Sequence, residues 1–159
     1  MTNFVNRSFI ALIYSSIFLF SLFYDNKVFL ALGIVLTSLV ILEFVRISKL
    51  NFYNSLIGVA TYLILIFFLE QESKLSNILL AISLLINIYL FFNLILNKSF
   101  KFKKKFLFLI LMFHVILSLY FLFQLPFSQN NYNPLKILFL LVVIWSSDSA
   151  GYLFGIKFG

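Results

Sequence analysis

The stretch VFLALGIVLTSLVILEFVRISKLNFYNSLIGVATYLILIFFL, Val28 to Leu69, decides the fold. It holds two apolar runs, Val28–Val45 and Phe52–Leu69, separated by the polar hexapeptide RISKLN. A helix that crosses a membrane needs about 20 residues, within a range of about 17 to 25. Both runs meet that length, so they read as consecutive spanning helices joined by a short basic break.

The same pattern repeats outward from this pair. Apolar segments run over Ser8–Tyr24, Ile78–Leu96, Phe106–Leu125 and Leu135–Gly155, which makes six in all. The remaining breaks, YDNK, EQESKLSN, NKSFKFKKK and PFSQNNYNP, carry turn or charge signals. Pro126 and Pro134 fall in the last of them, outside the helices, where a missing N–H does least harm. No internal repeat and no soluble domain is evident. The sequence therefore predicts an all-α fold, a single transmembrane domain over residues 1–159 with six spans.

Composition agrees. The chain is 63% apolar and 11% charged, whereas soluble domains are nearer half apolar and a quarter charged. Too little polar surface exists to cover a soluble particle of this size, and an integral membrane protein follows. There are no cysteines, which excludes disulfides, zinc-thiolate sites and a cysteine nucleophile. The net charge of +7 does not call for nucleic acid, because basic residues gather in the loops that stay in the cytoplasm. With the N-terminus inside, nine of the 12 basic residues lie in the cytoplasm: Arg7, Arg46, Lys49, Lys98, Lys101, Lys103, Lys104, Lys105 and Lys157. Lys27, Lys74 and Lys136 lie outside. Both termini are expected in the cytoplasm, in a bacterial inner membrane. The first segment follows Arg7 with no small-residue cleavage site before Asp25, so it reads as an uncleaved anchor.

Several polar residues interrupt this pattern. The cluster KSFKFKKK, Lys98 to Lys105, is either a topology determinant among anionic headgroups or a site that attracts an anionic substrate; charge alone favours the first. Glu43 stands three residues before Arg46, the spacing of a local ion pair. His114 reads as a neutral residue bonded to a neighbouring helix, and Asn87 as a hydrogen bond between helices. Asp148 differs from these. It lies about 13 Å from Lys157 along a helix, well inside a hydrocarbon core about 30 Å thick. Gly151 and Gly155 share its face at the small-xxx-small spacing of close helix packing, and Gly159 continues the step. Ser146, Ser147 and Ser149 add hydroxyls nearby. A carboxylate at that depth is costly and is usually functional, and it needs a partner from another helix or a metal ion.

The segment IWSSDSAGYLFGIKFG, Ile144 to Gly159, resembles the signature of phosphatidate cytidylyltransferases, the CDP-diacylglycerol synthases. The residues that carry the resemblance are Trp145, Asp148, Ser149, Ala150, Gly151, Tyr152, Phe154, Gly155, Phe158 and Gly159. Arg7, the pair Glu43-Phe44 and LYFLFQLPF (Leu119 to Phe127) are similar to earlier parts of the family, so the resemblance is collinear along the chain. Two local departures stand out. The small pair before Tyr152 is Ala150-Gly151 where the family usually has Gly-Ala. Ile156 follows the first Phe-Gly where the family usually has a basic residue, and Lys157 comes one later, displaced by about 100° around a helix. The family's further Ser-Pro-Lys-Lys-Thr-like segment and its Lys-Arg and Lys-Asp signature are not in this sequence, which reads as the N-terminal part of a longer enzyme.

The resemblance implies that phosphatidate attacks the α-phosphate of CTP to give CDP-diacylglycerol and pyrophosphate. It implies Mg2+ or another divalent cation at Asp148, substrate contacts from Ser149 and Tyr152, and close packing at Gly151, Gly155 and Gly159. A separate C-terminal half or a homodimer is the implied protein partner, and the chain alone is expected to be inactive. Two other functions remain open from the residues themselves. One is part of a CTP-dependent kinase acting on a polyprenol or phytol-type alcohol; the other is a non-enzymatic transporter or assembly component in which Asp148 serves a cation pathway.

Overall fold

The computed structural model describes residues 2–69, 73–96, 103–128 and 131–158. Seven α-helices account for most of them: α1 Thr2–Tyr24, α2 Asn26–Ile47, α3 Phe52–Phe68, α4 Lys74–Leu96, α5 Lys104–Ile110, α6 Leu117–Gln124 and α7 Leu135–Phe158. A π-helical turn, Leu111–Ile116, joins α5 to α6, so that Lys104–Gln124 runs as one unbroken helix of 21 residues. All six apolar segments of the sequence are thus helical. Four are long and apolar enough to cross a membrane: Asn26–Ile47, Lys74–Leu96, Lys104–Gln124 and Leu135–Lys157. The other two, Phe9–Tyr24 and Phe52–Phe68, are apolar helices of shorter length.

The helices begin and end where side chains close their terminal amides and carbonyls. Asp25 is the single residue between α1 and α2; it is extended, and its carboxylate accepts from the Lys27 N–H at 2.7 Å. The Ser73 hydroxyl accepts from the Ser76 N–H at 3.1 Å as α4 starts. The side chain of Asn133 accepts from the Leu135 N–H at 3.0 Å as α7 starts. At the end of α2, Leu50 N–H bonds to the carbonyl of Val45 at 3.0 Å and Lys49 N–H to that of Arg46 at 3.2 Å. This paired closure needs a left-handed residue and usually takes glycine; here Lys49 adopts it at φ 52°. Between α6 and α7 a short antiparallel pair, β1 Phe127–Ser128 and β2 Asn131–Tyr132, sets Phe127 opposite Tyr132 with ring centroids 5.1 Å apart.

The chain divides into two units, Met1–Phe123 and Gln124–Gly159. In the first, the core joins Ile41 and Val45 of α2, Tyr62 of α3, Leu111 and Ile116 of the π turn, and Tyr120 of α6. The buried stripe of α2 is Phe29, Gly33, Thr37, Ile41 and Val45, one residue in four, which is the ridge that helices use to pack at a crossing. Small residues mark the points of closest approach. A Cβ at Gly33 would lie 2.7 Å from the Phe123 ring, and one at Gly58 would lie 3.1 Å from the side chain of Ile41. In a bilayer the lipid tails are as apolar as leucine, so close contact of small residues holds helices together. Hydroxyls on the helices are closed locally: Ser21, Ser38, Ser55 and Thr61 each donate to a carbonyl of the preceding turn at 2.6–2.8 Å. The Tyr62 hydroxyl and the Thr37 Oγ1 are buried and face each other.

Candidate functional site

α7 carries the aspartate motif. Its capped start fixes the phase of everything that follows. Asp148 comes 13 residues after Leu135, about 20 Å along the axis, and falls in the exposed stretch that fills the second half of the helix. Gly151, Tyr152 and Gly155 follow at three, four and seven residues, so with Asp148 they share one face. Trp145 is also exposed. Ser146 donates to the Val143 carbonyl at 3.0 Å, which turns that hydroxyl back onto its own helix. Ser149 is next to the aspartate in sequence and exposed. A Cβ at Gly151 or Gly155 would meet nothing within 4 Å. Gly159 lies outside the described residues. Each of the other residues singled out in the motif therefore lies on a single helix, which brings the Asp148 carboxylate, the Ser147 and Ser149 hydroxyls, the Tyr152 phenol and the Trp145 indole.

Among the described residues, no group of three or more histidine, cysteine, aspartate or glutamate side chains could hold a metal ion. Asp148 thus offers one carboxylate. That does not fit an ion caged by protein. It fits Mg2+, which keeps its waters and takes one or two carboxylates together with substrate phosphates.

The first unit contains two further polar constellations. His114, in the π turn, and Asn87, in α4, had each been expected to bond another helix, and they bond each other: His114 Nδ1 meets Asn87 Oδ1. The amide nitrogen of Asn87 donates to the Ser83 carbonyl at 2.9 Å, which fixes its oxygen as the group facing the histidine. A carbonyl oxygen only accepts, so the imidazole carries its proton on Nδ1. The π turn is where a helix is widened by an extra residue, a feature found mostly at functional or specially packed positions. No sequence signal in LMFHVI marks it, and hydropathy alone could not have found it.

The second constellation is a cleft of about 470 Å3 where the α2–α3 turn meets the start of α5. Asn51, Asn54, Lys104 and Lys105 line it together with Leu50, Phe108 and Leu109. The basic cluster was legible in the sequence; the two asparagines were not, because they read as ordinary turn residues of RISKLN and the helix after it. Lys98 and Lys101 lie outside the described residues. Glu43 and Arg46 stand exposed, one turn apart at the end of α2, and the ion pair expected from their spacing is not made.

The class of protein these features define is a helical integral membrane protein. Within that class the model of the cytidylyltransferase family matches residues 5–159. The chain belongs to the cytidylyltransferase family, the family of the CDP-diacylglycerol synthases. Neither the curated proteins nor the solved structures hold a match to it.

Proposed function

We propose that the chain forms the membrane region of a phosphatidate cytidylyltransferase, with Asp148 at its reaction centre. The observation that carries this reading is the family match, which runs through residues 5–159 and includes the whole Asp148 motif. In the reaction a phosphate oxygen of phosphatidate attacks the α-phosphorus of CTP. The new P–O bond gives CDP-diacylglycerol, the bond between the α- and β-phosphates breaks, and pyrophosphate leaves. Both reactants are anionic, so the barrier is dominated by bringing negative groups together in line. A divalent cation supplies charge neutralisation when bound, and Asp148 is the protein ligand that would hold it. Tyr152, one turn on, orients the carboxylate or meets the lipid phosphate. Ser149 offers a hydroxyl to the same phosphates. Gly151 and Gly155 leave one face of α7 bare enough for another helix to approach the aspartate closely.

Asp148 is a single carboxylate, and a cytidylyl transfer needs more groups than α7 holds. Turnover therefore requires further protein groups, from a further part of the same enzyme, a separate chain or a second copy. The reading places the aspartate in the cytoplasmic half of an inner membrane, where CTP and the lipid headgroup can meet.

The test uses CTP labelled in either its α- or its γ-phosphate. Tagged chain is recovered from its native membranes with whatever accompanies it, and is also produced alone in a foreign membrane. Both are given phosphatidate and Mg2+. Label from the α-phosphate should enter lipid with the native material and not with the chain alone. Asp148→Asn should remove it. Transfer of γ-label to a lipid alcohol would instead make the protein part of a lipid kinase. No CTP-dependent label in lipid with the native material would sink the cytidylyltransferase reading.

A further inference from the structure

We propose that the cleft between the α2–α3 turn and the start of α5 binds the headgroup of an anionic glycerophospholipid. This site lies in the first unit, uses none of the α7 residues, and stands whether or not the chain takes part in cytidylyl transfer.

Four observations converge on that occupant. Lys104 and Lys105 line the mouth with Asn51 and Asn54, and among the described residues no carboxylate lines it. All four side chains can donate hydrogen bonds, two of them charge-assisted. The start of α3 forms one lip, and its N-cap residue Asn51 makes no side-chain capping bond, so the positive end of that helix dipole is left for an anion. The floor is apolar: Leu50, Phe108 and Leu109. A free phosphate or nucleotide would leave that floor unused, while a glycerolipid would cover it. Leu109 also lines a second cleft of about 300 Å3 between α4 and α5, whose other walls are the apolar or aromatic residues Ile86, Tyr89, Phe106, Ile110 and Phe113. Apolar surface that acyl chains could cover thus adjoins the first cleft. Finally, Lys104 and Lys105 open a helix long and apolar enough to cross a membrane, which sets them at the level of headgroups. Basic pockets between helices at that level are recurrent anionic-lipid sites.

The local backbone is arranged for this. The left-handed Lys49 turns the chain sharply after α2, which drops Leu50 against the core and brings Asn51 round to the rim. Lys49 itself does not line the cleft.

The test is native mass spectrometry of the full chain in detergent, titrated with dioleoyl phosphatidylglycerol or dioleoyl phosphatidylcholine. The anionic lipid should bind at least about tenfold tighter than the zwitterionic one, the scale expected when one charge-assisted contact is added. Lys104→Gln/Lys105→Gln should erase most of that preference. Asn54→Leu, which keeps every charge, should weaken it several-fold. Lys27→Gln/Lys74→Gln, with the same net charge change at the far ends of α2 and α4, should leave it in place. Helical circular dichroism checks that each variant is folded. Equal binding of the two lipids by the unaltered chain overturns the proposal. So does equal loss in the two lysine double variants, which would mean diffuse surface charge. Displacement of the lipid by inorganic phosphate at millimolar concentration, with Phe108→Asn leaving lipid binding unchanged, would identify a free-phosphate site and overturn it too. None of these arms needs CTP or turnover, so failure here is separable from failure of the cytidylyltransferase reading.

Discussion

The glycines of α2 and those of α7 look alike in sequence and live in opposite surroundings. Gly33 lies against the ring of Phe123, with no room for a Cβ; at Gly151 a Cβ meets nothing within 4 Å. The same contrast holds for polar groups. In the first unit His114 and Asn87 are bonded to each other, and the hydroxyls of Ser38 and Ser55 to carbonyls of their own helices. In α7 the aspartate is exposed. Packing takes up the small residues of α2 and α3, while the polar residues at the α2–α3 turn and on α7 stay open. On the function proposed above, this contrast separates residues that build the fold from residues that carry chemistry better than residue type does.

Substitutions can break or sharpen that contrast. The largest effect is expected at Asp148. Asp148→Asn should reduce CTP-dependent lipid labelling by native material at least about a hundredfold, the scale of losing a group that acts on transition-state charge, while helical content and thermal unfolding of the chain stay unchanged. A matching loss of stability would mean that Asp148 belongs to the packing and would erase the distinction. The glycines come next. Gly33→Leu should destabilise the chain by about 1–3 kcal/mol, the range for overpacking a filled interior; Gly151→Leu in the isolated chain should not shift the unfolding midpoint in detergent. Equal shifts would contradict the contrast directly. A double-mutant cycle on Asn87→Ala and His114→Ala should return a coupling of about 0.6–1.7 kcal/mol, the range for hydrogen bonds between helices in lipid. Zero coupling would mean that the contact across α4 does not persist in solution. Lys49→Gly should raise stability by about 1 kcal/mol, since glycine meets no Cβ penalty in the left-handed region. The smallest effect is expected at Tyr62, whose buried hydroxyl faces that of Thr37: Tyr62→Phe should cost no more than about 0.5 kcal/mol, the low end for a neutral hydrogen bond.

Much of this was legible before any coordinates. Apolar length located every helix, and the differences lie at the ends. The segment read as Val28–Val45 is the helix Asn26–Ile47, and Ile78–Leu96 is Lys74–Leu96, because capping by Asp25 and Ser73 carries the helices into polar flanks that hydropathy counts as breaks. The glycines and aspartate of α7 were read at helical spacing, and α7 is helical through them. The faces were harder. Lipid-facing and protein-facing positions are both apolar, so periodicity does not separate them. The useful signal was the reverse of the soluble one: α2 buries Gly33 and Thr37, and α3 buries Ser55 and Gly58, while large hydrophobic residues such as Leu39 and Phe67 face outward. His114 and Asn87 were each legible as residues that bond another helix; that they choose each other depends on the register of α4 against the π turn. The cleft was half legible, because its lysines announce themselves by charge and its asparagines only by position. The left-handed Lys49 was not legible, since RISKLN offers no glycine to signal a sharp turn.

The π turn has a consequence for how this fold tolerates change in length. Within Leu111–Ile116 the helix accommodates an additional residue, and Tyr120 and Phe123 beyond it meet Leu69 and Gly33 in the resulting phase. Rewinding the turn as α-helix at constant length would carry Tyr120 and Phe123 about 100° round relative to α5, taking the ring off Gly33 and the phenol off the Leu69 carbonyl. Removal of one residue together with the turn would bring both back into phase. The turn thus acts as slack wound into one span: a single-residue deletion is absorbed within Leu111–Ile116, while the same deletion elsewhere in Lys104–Gln124 would slip the gear.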